Sequence, residues 1–193
     1  HACHDRVNAN WPAPLTPMFA LLVADTLSTA RWIQLGKIAL ISAYVFLIVL
    51  GFEILHPFLP IAPDRNPVML TQGWSDLGDE LVSIARTQQT SWIATSTYEH
   101  TGALSYALRG KVEVIQVNER LRYGFMQDPE PQITSKPALF INWERDAERA
   151  LKTLSPCIGA VQKIGTISRK YNDAVIETFA LYRLTDVKIG PPI

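Results

Sequence analysis

The longest uninterrupted apolar stretch of the chain runs from Ile38 to Phe52, IALISAYVFLIVLGF, fifteen residues without a charge. A helix buried in a water-soluble protein keeps a polar stripe, and this segment has none. Continued through Glu53-Ile54-Leu55-His56 to Pro57, it reaches the ~20 residues that cross the hydrocarbon core of a bilayer, with Glu53 and His56 at the interface. A transmembrane helix is expected here. Upstream, Pro12 to Ala30 is less hydrophobic and carries Asp25. Arg31 and Lys37 bracket a short connection to the next apolar run, which suits a helical hairpin with a cytoplasmic turn under the positive-inside rule. On that topology Trp11 and everything after Pro57 face the periplasm. Asp25 then sits near the cytoplasmic end, where Arg31 or headgroup water reaches it.

The pattern changes after Pro57. Pro57, Pro60, Pro63 and Pro67 punctuate an extended linker. Trp74, Leu77, Leu81, Ile84 and Ala85 recur at helical spacing, so Ser75 to Gln88 reads as an amphipathic helix. Trp92 to Thr95 is a short β-prone run. Ser96 and Glu99 have capping-box spacing and open a second helix that ends near Leu108, before Gly110. Val112 to Val117 and Pro137 to Trp143 are further strand candidates, the latter apolar enough to be buried on both faces as parallel strands are. Asp146 to Leu154 reads as a short helix. Ile158 to Ile167 and Val175 to Leu184 read as two longer strands joined across Tyr171-Asn172-Asp173. Strands alternating with helices and closing on a hairpin predict an α/β fold with a mixed sheet. The expected organisation is a loop end at 1–11, two transmembrane helices within 12–57, a Pro-rich linker at 58–72 and an α/β domain at 73–193.

Composition sharpens this division. Lys plus Arg and Asp plus Glu both number 18, so no net field draws the chain to nucleic acid. Residues 12–62 carry very few charges, whereas from Asp64 onward the composition is that of a soluble domain of about 130 residues, enough for one core. Cys3 and Cys157 are the only cysteines, and they support no disulfide framework. His1, Cys3 and His4 cluster, yet a metal site needs three or four convergent ligands and no complement is evident, so no metal is expected. The start at His1, inside what reads as a structured segment, has the look of a fragment.

Familiar catalytic signatures do not occur: there is no Gly-rich phosphate loop after a strand, no Cys-x-x-Cys and no Gly-x-Ser-x-Gly elbow. His100, the one histidine beyond the linker, reads as an exposed or hydrogen-bonded helix residue. Asp76, Asp79 and Glu80 crowd the start of the first amphipathic helix, where carboxylates complement the dipole. The segment 118–126 is less bland, because Arg120 and Arg122 stand beside Tyr123 and Phe125. A guanidinium fork suits phosphate, and aromatic rings stack on sugars or enter a membrane interface. A solvated loop is the competing reading of the same residues.

At Arg6-Val7-Asn8-Ala9-Asn10-Trp11-Pro12-Ala13-Pro14 the chain resembles bacterial members of the dolichyl-phosphate-mannose protein mannosyltransferase superfamily, glycosyltransferase family 39 and its relatives. Gly73-Trp74 with Leu77-Gly78, Thr97-Tyr98, the segment Arg120 to Phe125 and Tyr182-Arg183-Leu184 follow in the order that family shows. Pro12 and Pro14 also have a plain structural use, since proline starts a helix cleanly. Asp25 departs from the apolar helix the family would have. The resemblance implies a multi-span transferase of the GT-C architecture that passes a sugar from a polyprenyl-phosphate donor to an envelope acceptor such as lipid A, lipopolysaccharide core, another glycan or a protein. It implies residence in the bacterial inner membrane and a C-terminal domain in the periplasm. It places the catalytic acid in an early external loop that this chain lacks, so no catalytic residue is carried over and the fragment alone is expected to be inactive. Arg6, Asn10 and Trp11 would line the mouth of the membrane cavity, and Arg120, Arg122 and Tyr123 would line it from the soluble domain. No cofactor is expected in the fragment, while the parent enzyme admits a divalent cation. The alternative is a membrane-anchored, non-catalytic module that binds a glycan, a lipid or a protein.

Overall fold

The structure is a computed structural model that describes residues 16–27, 32–62, 66–118 and 129–188. It divides into two compact units, His1–Leu59 and Pro60–Ile193. In the first unit the described elements are two helices, α1 (Thr16–Leu27) and α2 (Ile33–Leu55). The 23 residues of α2 have a mean hydropathy of 2.5 in their most apolar window, long and apolar enough to cross a membrane. The twelve described residues of α1 rise about 18 Å, well short of a ~30 Å hydrocarbon core. A second span is thus not shown. Lys37, expected in the connection, lies one turn inside α2, because no proline or cap residue between Ile33 and Ile38 stops the helix from starting earlier. Asp25 is exposed on α1.

Glu53 is the buried residue of α2. It is almost fully buried. One carboxylate oxygen accepts from the Phe58 and Leu59 backbone N–H groups at 2.8 and 3.0 Å. The His56 N–H closes the helix onto Phe52 O at 2.7 Å. Glu53 therefore satisfies donors of the chain that leaves α2, whose solvation would otherwise be lost.

The second unit is an α/β fold built on one five-stranded mixed sheet with strand order β2-β1-β3-β5-β4. In chain order its main elements are α3 (Trp74–Thr87), β1 (Trp92–Thr95), α4 (Tyr98–Ala107), β2 (Glu113–Gln116), the single turn α5 (Pro131–Thr134), β3 (Ala138–Trp143), α6 (Glu144–Leu154), β4 (Ala160–Tyr171) and β5 (Ala174–Thr185). β1 runs parallel to both β2 and β3, and β5 runs antiparallel to β3 and β4. The period-2 alternation of the strands feeds two cores. Ile93, Leu139, Ile141, Phe179 and Leu181 meet Leu77, Leu81 and Ala85 of α3 and Leu104 of α4 on one face. Trp92, Ala94, Ala138, Phe140, Ala180 and Tyr182 meet Ala147 and Leu154 of α6 on the other.

Two local features differ from the sequence expectation. The end of the proline-rich linker is not extended: Pro67–Thr71 forms a 3-10 turn, capped by Asn66 Oδ1, which accepts from Val68 N at 3.0 Å. The Ser96/Glu99 capping box does not form. Thr97 is the residue that caps α4, without a side-chain bond to the helix, because the Ser96 hydroxyl is taken by Asn142.

Candidate functional site

The strand order places a topological switch between β1 and β3. From β1 the chain passes through α4 to β2 on one side, and it later returns to place β3 on the other. The helices that follow the two strands lie on opposite faces, α4 on the first core and α6 on the second. Such a switch is where open α/β sheets bind ligands, in the crevice outside the carboxyl ends of the strands. Buried polar residues collect there. Ser96 and Asn142 join across the crevice through Asn142 Nδ2, which donates to Ser96 Oγ at 2.9 Å. Asn142 Oδ1 accepts from Trp143 N at 2.7 Å. Thr95 and Thr101 share a hydroxyl bond of 2.8 Å, and Gln116 Nε2 donates to Asn118 Oδ1 at 2.6 Å.

The β4–β5 hairpin forms a second wall. β5 pairs with β3 from Phe179 to Leu184, whereas its pairing with β4 continues to Tyr171↔Ala174. Residues 168–178 consequently project past the carboxyl end of β3 as a two-stranded arm. Asn172 and Asp173 make the tip with φ of 48° and 64°, the left-handed pair that a tight two-residue hairpin turn needs. At the root of the arm Arg169 is completely buried. Its guanidinium pairs with Glu177 at 2.9 Å, donates to Met69 O at 2.8 Å and to Gln72 O, and stacks 4.4 Å from the Trp74 ring centre. The cation thus straps the 3-10 turn to the hairpin. Gly73 makes this possible: its φ is 74°, and a Cβ there would lie 2.2 Å from Lys170 O.

His100, in the first turn of α4, is buried rather than exposed, and neither ring nitrogen has a hydrogen-bond partner. This overturns the reading of an exposed or hydrogen-bonded residue. Its ring contacts Trp143 edge-on at 4.3 Å and Phe179 at 5.1 Å, with Trp74 at 6.3 Å. Burial pushes its pKa down from 6.5 to about 4, against the pull of Glu177 and Glu99 and together with Arg169. The imidazole is neutral at pH 7. The Thr97 hydroxyl is a second buried group without a partner.

All six residues singled out from the sequence, Arg6, Asn10, Trp11, Arg120, Arg122 and Tyr123, lie outside the described residues, as do His1, Cys3 and His4. The chain does enter 119–128 from the carboxyl end of β2, through Gln116 and Asn118. The sequence reading missed Ser96, Asn142, Arg169 and Glu177. A signal existed for Arg169, which stands two residues from the buried Ile167 and so shares its face of β4. Another existed for His100, four residues before the buried Leu104 on the same helix stripe. Among the described residues no three or more His, Cys, Asp or Glu gather to hold a metal ion. No protein-family model, no curated protein and no solved structure matches the chain.

Proposed function

We propose that the chain is the C-terminal part of an integral-membrane glycosyltransferase that moves a sugar from a polyprenyl-phosphate donor to an envelope acceptor. In this reading the α/β unit stands on the periplasmic side of the bacterial inner membrane and binds substrate, while the chemistry belongs to the membrane part of the parent enzyme. The observation that carries the reading is the succession of a 23-residue apolar helix and an α/β unit with buried polar residues at the carboxyl ends of its parallel strands. The motif Asn10-Trp11-Pro12 supplies the enzyme class by resemblance. Arg120, Arg122 and Tyr123, on the segment that leaves the carboxyl end of β2, are the residues proposed to meet the donor phosphate and sugar.

The test is transfer of label from a radioactive polyprenyl-phosphate hexose to envelope lipid, in membranes carrying the product of the whole reading frame. Transfer that disappears when Arg120 and Arg122 are both changed to Ala supports the reading. Membranes that hold the intact protein and move no label from any polyprenyl-phosphate sugar refute it. A membrane-anchored binding module is the second reading, favoured by the second unit completing its sheet and both cores from its own residues. Specific glycan or lipid binding without transfer is the outcome that selects it.

A further inference from the structure

At the foot of the arm, beside the switch crevice, is an open cleft of about 400 Å³ lined by Trp143, Glu144, Arg145, Ile176, Glu177 and Thr178. It belongs to the junction where β3 passes directly into α6, with no intervening loop. Trp143 is half-buried there, and its indole is braced by the buried His100 ring at 4.3 Å. The Arg145 guanidinium lies 5.2 Å from the centre of the Trp143 ring on a side chain that is 77% exposed, so a ligand can displace it at little cost. Opposite stands Glu177, whose side chain is 22% exposed and whose carboxylate is fixed by two bonds from Arg169, at 2.9 and 3.2 Å. A carboxylate held this way is an acceptor oriented before any ligand arrives, which lowers the ordering cost of binding. Ile176 is buried in the wall, and Thr178 and the exposed Glu144 complete the polar rim.

The chemistry selects among ligands. Glu177 is paired with Arg169 and Arg145 with Asp146, so the lining offers no surplus cation to hold phosphate or any other anion. An indole floor and carboxylate walls suit a molecule with an apolar C–H face and hydroxyl groups at its edge. The volume lies in the ordinary range of small-molecule sites. The geometry points to a subsite for a neutral saccharide, seated on Trp143 with its hydroxyls on Glu177 and Glu144. This deepens the transferase reading and rests on it for the saccharide being part of a donor or acceptor.

The whole chain, purified in a sugar-free detergent, is titrated with mannobiose, diacetylchitobiose and inorganic phosphate, and binding is followed by saturation-transfer NMR. Saturable binding of a neutral disaccharide is expected. Trp143→Ala should weaken it at least about tenfold and Glu144→Gln roughly threefold, with phosphate not competing. Glu144 is exposed, so Glu144→Gln keeps the fold and the test stands even if Trp143→Ala does not fold. Absence of saturation up to ~50 mM of either disaccharide, or binding that Glu144→Gln and Trp143→Ala leave unchanged, overturns the inference. The two failures separate: label transfer that survives Trp143→Ala and Glu144→Gln removes this subsite and leaves the transferase, whereas Trp143-dependent binding without transfer does the reverse.

Discussion

The two units place the same kinds of side chain in opposite surroundings. In α2, Phe46, Leu47 and Ile48 are 65, 59 and 59% exposed, while in β3 Leu139, Phe140 and Ile141 are 0% exposed. Both segments are apolar without a polar stripe, so hydrophobicity alone does not distinguish them. Length and partners do. β3 is six residues long and is covered on both faces by helices of its own unit, so its apolar surface is withdrawn from water by folding. α2 is 23 residues long with only 6% of its most apolar window buried, so by length and composition it is a candidate to cross a membrane.

The sharpest way to break the contrast is to make one substitution in each region. Phe140→Ala should cost roughly 3–5 kcal/mol, because a fully buried ring leaves a cavity in the core beneath α6. Phe46→Ala should change the stability of the second unit by less than about 0.5 kcal/mol. Urea unfolding of the detergent-solubilised chain, read by near-ultraviolet circular dichroism, measures both. An equal loss for the two variants would mean that α2 is packed against protein and would remove the membrane reading.

Arg169 comes next in size, as the one charge among the described residues that the second unit buries completely. Arg169→Ala leaves Glu177, Met69 O and Gln72 O without this donor and removes the cation over Trp74, so a loss of about 3–4 kcal/mol is expected. The companion change is Glu53→Gln in the first unit, where a neutral amide oxygen still accepts from the Phe58 and Leu59 N–H groups. The cost there should stay near 1 kcal/mol. Thermal melts of the two variants against the parent chain compare them directly, and a Glu53→Gln loss as large as that of Arg169→Ala would show that Glu53 is needed as a charge.

What could be read from the sequence follows from how local each signal is. Trp92–Thr95 has the expected bounds because four β-prone residues between polar neighbours need no tertiary information. The hairpin was legible from Asn172-Asp173, residues that tolerate the left-handed region. The Ser96/Glu99 capping box failed because Ser96 has a competing partner 46 residues away, invisible to any local window. Arg169 reads as an ordinary surface cation until the 3-10 turn 100 residues upstream in the chain is known to supply its acceptor. The crevice is a product of strand order, and order is not written in any single segment.

His100 sharpens the comparison through pH. Its pKa in the folded chain is about 4, below the 6.5 of an unburied histidine, so the unfolded chain binds the proton more readily. The burden on folding is absent above pH 6.5, grows as pH falls through the interval, and reaches roughly 3 kcal/mol near pH 4. His100→Phe keeps an aromatic ring between Trp143 and Phe179 and removes two unpaired nitrogens. The variant should be slightly more stable than the parent at pH 7 and clearly more stable at pH 4.5, by urea midpoint at each pH. Parallel acid losses in parent and variant would show that another group carries the acid sensitivity.

The smallest expected effect tests the arm that walls the cleft. Asp173 holds φ at 64° in the two-residue turn between β4 and β5, a conformation that glycine adopts without side-chain strain. Asp173→Gly turns the tip into Asn-Gly, the favoured pair for this turn, and should stabilise the second unit by about 0.5 kcal/mol. The gain is small because glycine also frees the unfolded chain, and the two terms oppose each other. Its value is in what it should leave alone: Arg169 and Glu177 lie four residues from Asp173, on the opposed strands that hold their pairing. A change in urea midpoint without any change in saccharide binding is the expected pair of results, whereas weakened binding would show that the tip itself reaches the ligand.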